Sequence, residues 1–362
     1  MMGDETRRIG LGVIGCGDVA FRSYLPPLAE VADKARLVAT CDVSAERAEQ
    51  ARERFGAEHA YTDAGELLED AAVEAVINLT PVRHHFSVGL QCLEAGKHLY
   101  QEKPIAGTVE EADRLIAAAE ERGLTLVCAP ATNLLPSRSY GRALITGGKI
   151  GRVVLAVAHG SAGGPGRWEG YSSDPTWFYQ EGAGPVIDTG VYAIDYLVDT
   201  LGPARRVFGF AGIAFPEVVS RARGAPGKRI KVTAPDNSVI ALDFGEAVFA
   251  CLDSSFCVLG QHGPALEFYG EEGVLAVHHW WDQPALEIMR PGGGWEAVTV
   301  PADFPALPGL GWAVGVLHLV ECLLSGAKPV LSGQRARHVL EIMLAAGESS
   351  RSGRAVDLRT TF

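Results

Sequence analysis

Short apolar runs alternate with helical patterns between residues 8 and 128, and this alternation restricts the fold more than any other feature of the chain. The apolar runs are Ile9–Ile14, Leu37–Cys41, Ala75–Leu79, His98–Tyr100 and Thr125–Cys128. The helical patterns between them are Val19–Val31, Ala45–Phe55, His85–Ala95 and Val109–Arg122. Strands that are apolar on both faces and alternate with helices predict a parallel, doubly wound α/β sheet.

The pattern changes near Ala129–Pro130, where we place a domain boundary. Beyond it, several short strand candidates follow one another, and turns such as Phe244–Gly245–Glu246 favour antiparallel pairing. Helices are predicted at Ser137–Thr146, Pro185–Leu201, Trp312–Leu324 and Gln334–Ser350. We therefore expect two domains, residues 1–128 and residues 129–362, the second an α+β domain with a large, mostly antiparallel open sheet.

Composition excludes several classes of partner. The 362 residues carry a formal net charge of -12, which disfavours nucleic acid or an anionic membrane surface as the main partner. No apolar run approaches the roughly 20 residues of a membrane span, and the N-terminus has no signal-peptide pattern. The seven cysteines include no C-x-x-C pair, which favours reduced thiols in a cytoplasmic protein and no metal site.

A G-x-G-x-x-A sequence follows the first apolar run directly and opens the first helical pattern. Gly15 allows a tight turn, Gly17 lets the backbone approach a pyrophosphate, and Ala20 lets helix and strand pack closely. The start of a helix also presents free N–H groups and a positive dipole end to phosphates. We expect the cofactor to contact Gly15, Cys16, Gly17, Asp18, Val19 and Ala20; a purely structural turn is the alternative.

Asp42 ends the second apolar run, 22 residues after Ala20. A carboxylate in this position accepts hydrogen bonds from the adenosine ribose of a dinucleotide, and it repels the 2′-phosphate of NADP. Arg47 follows within one helical turn and is able to reach the adenine or a phosphate. We therefore expect NAD as the cofactor, held by Asp42 and Arg47, with NADP as the alternative.

Three further segments carry a family resemblance. They are Thr80-Pro81-Val82-Arg83-His84-His85, the AGKHLYQEKP sequence at residues 95–104, and the GAGPVIDTGVYAID sequence at residues 182–195. Together with the glycine turn they resemble the Gfo/Idh/MocA family over nearly the whole chain. The resemblance implies a Rossmann domain, and an NAD(P)-dependent oxidoreductase acting on a secondary alcohol or ketone of a sugar, cyclitol or related polyol.

The resemblance also suggests the catalytic groups. Lys103 follows a strand end, where open α/β sheets bind ligands, and the family has its catalytic Lys there. Asp188 and Tyr192 are four residues apart on a predicted helix, so we expect them on one face, where they touch the substrate together with Lys103. The family's commoner residue at Tyr192 is His. Either Tyr192 transfers the proton with its pKa lowered by Lys103, or Lys103 does so and Tyr192 positions the substrate.

Other contacts are expected from the same resemblance. Thr80 and Pro81 form a cofactor-contacting turn, Glu102 bonds the nicotinamide ribose, and Asn133 lies near the carboxamide. His85 is either a cofactor contact or a histidine satisfied at a helix start. Arg167, Trp168 and Trp177 are expected to form a substrate-binding lip, and a hydrophobic plug under the loop is the alternative.

Two other functional classes remain open at this stage, together with the question of assembly. The chain is alternatively a glycosidase that oxidises its substrate transiently with bound NAD, or a non-catalytic dinucleotide-binding protein. The open sheet of the second domain predicts an oligomer surface. The family resemblance implies a homodimer or homotetramer formed through that sheet.

Overall fold

The computed structural model describes residues 7–279, 281–307 and 309–362. These residues divide into two compact units. The first contains residues 7–132 and 309–340, and the second contains the remaining described residues from 133 to 307 and from 341 to 362.

The first unit is built on a parallel sheet, as predicted. Its strands are β1 (Ile9–Ile14), β2 (Ala35–Cys41), β3 (His59–Tyr61), β4 (Ala75–Asn78), β5 (His98–Gln101) and β6 (Leu126–Cys128). The described strands pair in the order β3-β2-β1-β4-β5-β6, every pair parallel. The order reverses between β1 and β4, and such a switch point is where doubly wound sheets bind their ligands.

Helices connect these strands. They are α1 (Ala45–Phe55), α2 (Ala64–Glu69), α3 (His85–Glu94) and α4 (Val109–Glu121). Ser44 and Thr108 cap α1 and α4 by accepting backbone N–H bonds from Arg47 and Glu111. The cap at Ser44 fixes where α1 begins, directly after Asp42.

The predicted helix Val19–Val31 is not a single α-helix. A π-helical turn, Ala20–Tyr24, is followed by 3-10 turns over Pro26–Val31. Two consecutive prolines explain the change, because neither can donate the backbone hydrogen bond that an α-helix would require.

The second unit begins with α5 (Pro136–Thr146) and is dominated by one large sheet. Its strands are β7 (Val153–His159), β8 (Arg206–Gly212), β11 (Asn237–Gly245), β12 (Val248–Ser255), β13 (Leu266–Gly270), β14 (Gly273–Val277), β15 (Leu286–Met289), β16 (Trp295–Ala297) and β17 (Val356–Asp357). Among the described strands the order is β16-β15-β14-β13-β7-β12-β11-β8-β17, and only β7 and β12 pair in parallel. The predicted mostly antiparallel sheet is confirmed.

A separate hairpin joins β9 (Glu217–Val219) to β10 (Arg229–Lys231). The predicted helix from Pro185 to Leu201 begins instead as a π-helical turn, Val186–Gly190, and continues as α6 (Val191–Leu201). Gly190, the last residue of this turn, packs closely against β12, since a Cβ there would lie 2.8 Å from the hydroxyl oxygen of Ser254.

The chain ends in two helices, α7 (Val314–Ser325) and α8 (Gly333–Ser352). Residues 309–340, which the sequence analysis assigned to the second domain, belong to the first unit. The reason is packing: α7 lies against β5 and β6, and a Cβ on Gly315 would come within 2.5 Å of the Tyr100 ring. Within the described residues, no helix combines the length and apolar character needed to cross a membrane.

Candidate functional site

The glycine turn after β1 leaves no room for side chains on one side. Gly15 has a φ of +99°, and a Cβ there would lie 2.7 Å from the carbonyl carbon and oxygen of Leu79. Around Gly17, by contrast, a Cβ would meet no atom of the described chain within 4 Å. The turn therefore packs tightly against the end of β4 and presents open backbone at Gly17.

The residues beside the two glycines are held by a hydrogen bond, an ion pair and burial. Cys16 is buried, and its backbone N–H donates to Asp42. Burial, with the Asp42 charge as a second cause, raises the pKa of the Cys16 thiol to about 12, so the thiol stays protonated. The Asp18 carboxylate pairs with Arg22 at 2.9 Å, and Ala20 is fully buried.

Asp42 is held in a fixed position. Its Oδ2 accepts the Cys16 N–H at 2.9 Å, and its Oδ1 accepts the Ser44 N–H at 2.9 Å. The Arg47 guanidinium lies 3.4 Å from Oδ1, on a side chain that is half exposed. A carboxylate offers about four lone-pair directions, so Asp42 keeps acceptor capacity for a ligand hydroxyl.

Buried side chains hold the turn that follows β4 in place. The Thr80 hydroxyl donates to Oδ1 of Asn78 at 2.7 Å, and the Asn78 amide donates to Oε1 of Gln101 at 3.1 Å. Asn78 and Gln101 are both fully buried. This amide pair holds the ends of β4 and β5 in register, which places the Thr80–Pro81 turn beside the residues that follow β5.

The His85 ring joins the turn after β4 to the segment that follows β5. Its Nδ1 is 2.6 Å from the Pro104 carbonyl oxygen, and its Nε2 is 2.8 Å from the Thr80 carbonyl oxygen. The side chain is buried, and burial lowers the pKa of His85. Both ring nitrogens lie on backbone carbonyl oxygens, the arrangement favoured by the alternative of a histidine held at the start of α3. A contact between His85 and the cofactor stays a prediction.

Glu102 follows β5 and belongs to a buried network. Its Oε1 accepts a short hydrogen bond from the Tyr24 hydroxyl, which lies 3.2 Å from the Tyr100 hydroxyl. Its Oε2 accepts the backbone N–H of Lys103 at 2.7 Å. Burial and the neighbouring Glu102 charge raise the pKa of Tyr24 well above its usual value, so Tyr24 remains a donor. The next residue, Lys103, is half-buried and precedes a cis peptide bond to Pro104.

In the second unit, Asp188 and Tyr192 are both half-buried. Asp188 lies in the π-helical turn and Tyr192 in the first turn of α6, so their spacing does not follow α-helical geometry throughout. The Thr189 hydroxyl donates to the carbonyl oxygens of Gly160 and Pro185. These bonds fasten the turn that carries Asp188 to the end of β7.

Asn133 is buried beside two carboxylates. Its amide nitrogen donates to Asp195 at 2.7 Å and to Asp199 at 3.3 Å. Because both partners only accept, the amide oxygen must point away from them, and this buried atom has no hydrogen-bond partner among the described residues. Asn133 therefore offers one unused acceptor.

The predicted lip divides into two parts. Trp177 packs against a buried cluster of Phe178, Tyr179, Val218, Ile230, Val232 and Phe256, as the hydrophobic-plug alternative expected. Trp168 is 44% exposed, and Arg167 lies with its guanidinium carbon 5.0 Å from the centre of the Phe215 ring. Trp168 and Arg167 thus remain candidates for substrate contact.

Family models match both parts of the chain. A model described as an oxidoreductase family with an NAD-binding Rossmann fold matches residues 9–129, and a GFO/IDH/MocA C-terminal domain model matches residues 140–276. The chain belongs to the GFO/IDH/MocA family. It is accordingly an oxidoreductase with NAD as its cofactor.

Several members of the GFO/IDH/MocA family are similar over most of the chain. A dTDP-3,4-didehydro-2,6-dideoxy-alpha-D-glucose 3-reductase from Streptomyces violaceoruber is 30% identical and covers 83% of each chain. The NAD(+)-dependent scyllo-inositol 2-dehydrogenase of Bacillus subtilis is 23% identical and covers 97% of this chain and 96% of its own. A levoglucosan dehydrogenase structure with NADH and L-sorbose has a TM-score of 0.84 at 20% identity, covering 98% of this chain and all of that one.

The residues of this site fit a bound dinucleotide. The open backbone at Gly17 is the close approach that a pyrophosphate needs, and Asp42 keeps acceptor capacity. Among the described residues, no group of three or more metal-ligating side chains comes together.

Sequence reasoning missed four buried residues that support this site: Tyr24, Asn78, Tyr100 and Gln101. Each acts through a partner distant in sequence, such as Tyr24 with Glu102, and no local pattern marks such pairs. The one available signal was chemical, because Asn and Gln are unusual at the ends of otherwise apolar buried strands.

Proposed function

We propose that the chain is an NAD-dependent dehydrogenase or reductase acting on a secondary alcohol or ketone of a sugar, cyclitol or related polyol. The observation that carries this is the placement of Gly15–Gly17 and Lys103 after β1 and β5 of one parallel sheet. The carboxyl ends of such strands are where α/β sheets hold ligands. The names of the inositol and levoglucosan dehydrogenases support the substrate class.

Each residue then has a role. NAD, when bound, accepts or returns the hydride. The glycine turn would hold its pyrophosphate, Asp42 its adenosine ribose, Glu102 its nicotinamide ribose and Asn133 its carboxamide. Arg47 would flank the adenine, and Thr80 and Pro81 would line the cofactor from the end of β4.

The proton is handled by the protein. Lys103 or Tyr192 takes the proton from the substrate hydroxyl oxygen as the hydride leaves the carbon that bears this hydroxyl. Asp188 orients the substrate. Asp188 and Tyr192, with Trp168, would thus make the polar and aromatic contacts to the substrate.

A panel of sugars, inositols and sugar acids, assayed with NAD and NADP by nicotinamide absorbance, tests this proposal. We expect NAD-dependent turnover of at least one polyol. Release of a reducing sugar from a glycoside without net NADH would instead identify the glycosidase alternative. Cofactor binding without any turnover would favour a non-catalytic dinucleotide-binding protein.

We expect Asp42→Asn to change the choice of cofactor. The variant removes the charge that repels a 2′-phosphate and weakens the acceptor for the ribose hydroxyls. Because each such contact is worth about 1.5–3 kcal/mol, the ratio of kcat/KM for NAD to that for NADP should fall by about tenfold or more. The exposed Asp33→Asn serves as the control, and an unchanged ratio in Asp42→Asn would contradict the role given to Asp42.

The outer face of the large sheet supports a homo-oligomer. Phe210 is 66% exposed and pairs in register with Val239, which is 54% exposed. On the next two strands, β12 and β7, Phe249 and Leu155 pair in register and are also exposed. A connected apolar face of this kind marks an interaction surface, and we propose that a second copy of the chain covers it in a cytoplasmic homodimer or homotetramer.

Phe210→Glu should dissociate this assembly, because it places a charge in a desolvated apolar contact. Sedimentation velocity measures the outcome: wild type should sediment as a dimer or tetramer and the variant as a smaller species. Val330→Glu, at an exposed position in the first unit, should leave the assembly unchanged. A monomeric wild type would disprove the proposal directly.

A further inference from the structure

The loop that follows β7 is fastened so that Arg167 occupies a defined position. The Gly166 backbone N–H donates to the Tyr179 hydroxyl at 3.0 Å. A Cβ at Gly166 would lie 2.7 Å from that same oxygen, so only glycine permits the contact. Arg167, the next residue, is therefore set directly beside the buried cluster that contains Tyr179.

The loop that carries Arg167 is joined to the turn that carries Asp188, because the Thr189 hydroxyl donates to the carbonyl oxygen of Gly160. Burial raises the pKa of Tyr179, the Arg167 charge works against that rise, and the Asp188 charge adds to it. Both charges therefore act on the same phenol within the second unit. Arg167 is half-buried against Phe215, and among the described residues it forms no ion pair with a carboxylate.

Two more arginines lie on a neighbouring turn, between β9 and β10. The Arg221 backbone N–H donates to the Gly166 carbonyl oxygen at 2.7 Å, which joins this turn to the loop carrying Arg167. Arg221 and Arg223 are exposed, and within the part of the chain that the structure describes neither pairs with a carboxylate.

Two other cations of this hairpin, Lys228 and Arg229, are paired. Lys228 lies 2.5 Å from a carboxylate oxygen of Asp174, and Arg229 lies 2.5 Å from one of Glu217. Lys228 and Arg229 thus have carboxylate partners, whereas Arg221 and Arg223 have none among the described residues. In a chain of net charge -12, these two joined loops carry three arginines without a carboxylate partner among the described residues.

A guanidinium group binds carboxylate and phosphate oxygens through two parallel N–H bonds, a geometry that a neutral hydroxyl does not match. We infer that the substrate of the proposed dehydrogenase is an anionic sugar or polyol, whose carboxylate or phosphate binds Arg167 while Asp188 engages a hydroxyl. Arg221 and Arg223 add attraction for the same group. This inference rests on the proposed function and narrows its substrate class.

Matched substrates test the inference: a neutral aldose, the corresponding uronic acid, the sugar phosphate and the nucleotide sugar. Wild type should show its highest kcat/KM with an anionic member, and comparing the carboxylate with the phosphates identifies which oxyanion is recognised. Arg167→Met keeps the apolar stem over Phe215 and removes the charge. It should lower kcat/KM for the anion by about tenfold or more, mainly through KM, because a charge-assisted hydrogen bond is worth about 1.5–3 kcal/mol.

Two further variants complete the experiment. Arg221→Met, at an exposed position, should produce a smaller loss in the same direction, whereas Arg229→Met, which removes a cation paired with Glu217, should leave KM unchanged. Turnover of neutral polyols with no preference for anions would overturn this inference alone. An equal loss for neutral and anionic substrates in Arg167→Met would also overturn it. NAD binding with no turnover of any member overturns the proposed function itself.

Discussion

Lys103→Met is expected to bind NAD normally and to turn over its substrate at least about a hundredfold more slowly, the usual contribution of a positioned proton-transfer group. Methionine keeps the length and apolar stem of the side chain but has no ionisable nitrogen. The backbone N–H of residue 103, which donates to Glu102, is unaffected by the substitution. Cofactor affinity, measured by fluorescence titration, should therefore remain close to that of wild type.

The same substitution at Lys149, an exposed position in the second unit, is the matched control and should leave turnover unchanged. Near-normal turnover in Lys103→Met would remove Lys103 from the catalytic group. A partial loss that deepens when Tyr192→Phe is combined with it would divide the proton transfer between the two side chains. An inactive Tyr192→Phe with a fully active Lys103→Met would assign the transfer to Tyr192 alone.

Gly15→Ala is expected to abolish measurable NAD binding and to lower the stability of the first unit. The added Cβ would collide with the Leu79 backbone at 2.7 Å, and the φ of +99° is strained for any L side chain. Because neighbouring backbone cannot move as a flexible side chain can, the turn or the end of β4 must shift. Either shift displaces the backbone at Gly17 or the Thr80–Pro81 turn.

Gly56→Ala separates the effect of the Cβ collision from the effect of the unfavourable φ. Gly56 ends α1 with a φ of +74°, but a Cβ there would meet no atom of the described chain within 4 Å. This control should lose only about 1 kcal/mol of unfolding free energy from the unfavourable φ and should bind NAD normally. Urea unfolding and NAD titration of both variants give the comparison. If Gly15→Ala matched the control, close packing of the turn would have no part in binding.

The parallel sheet was predictable because its central strands are continuous apolar runs. The two elements of the first unit that were not predicted, β3 and α2, are short. Only three residues make β3, none of them fully buried, so periodicity could not distinguish it from a loop. The π-helical turn at Asp188 could not be predicted for another reason: its last residue, Gly190, packs against Ser254, which is distant in sequence, and no local pattern indicates that contact.

The candidate site divides in the same way. The glycine turn and Asp42 follow local rules of spacing, and they could be named from the sequence. His85 could be named but not placed, because its two carbonyl partners belong to turns after different strands. Likewise, an exposed and a packed aromatic in the same loop, Trp168 and Trp177, have the same local signature.

The first unit takes residues 309–340 from the far end of the chain, and this has a consequence for biosynthesis. While the chain emerges from the ribosome, the parallel sheet is translated early, but α7, which packs on β5 and β6, is among the last segments made. Until then β5 and β6 lack the helix that packs on them in the complete unit. The dinucleotide-binding unit therefore becomes complete only after nearly the whole second unit has been synthesised.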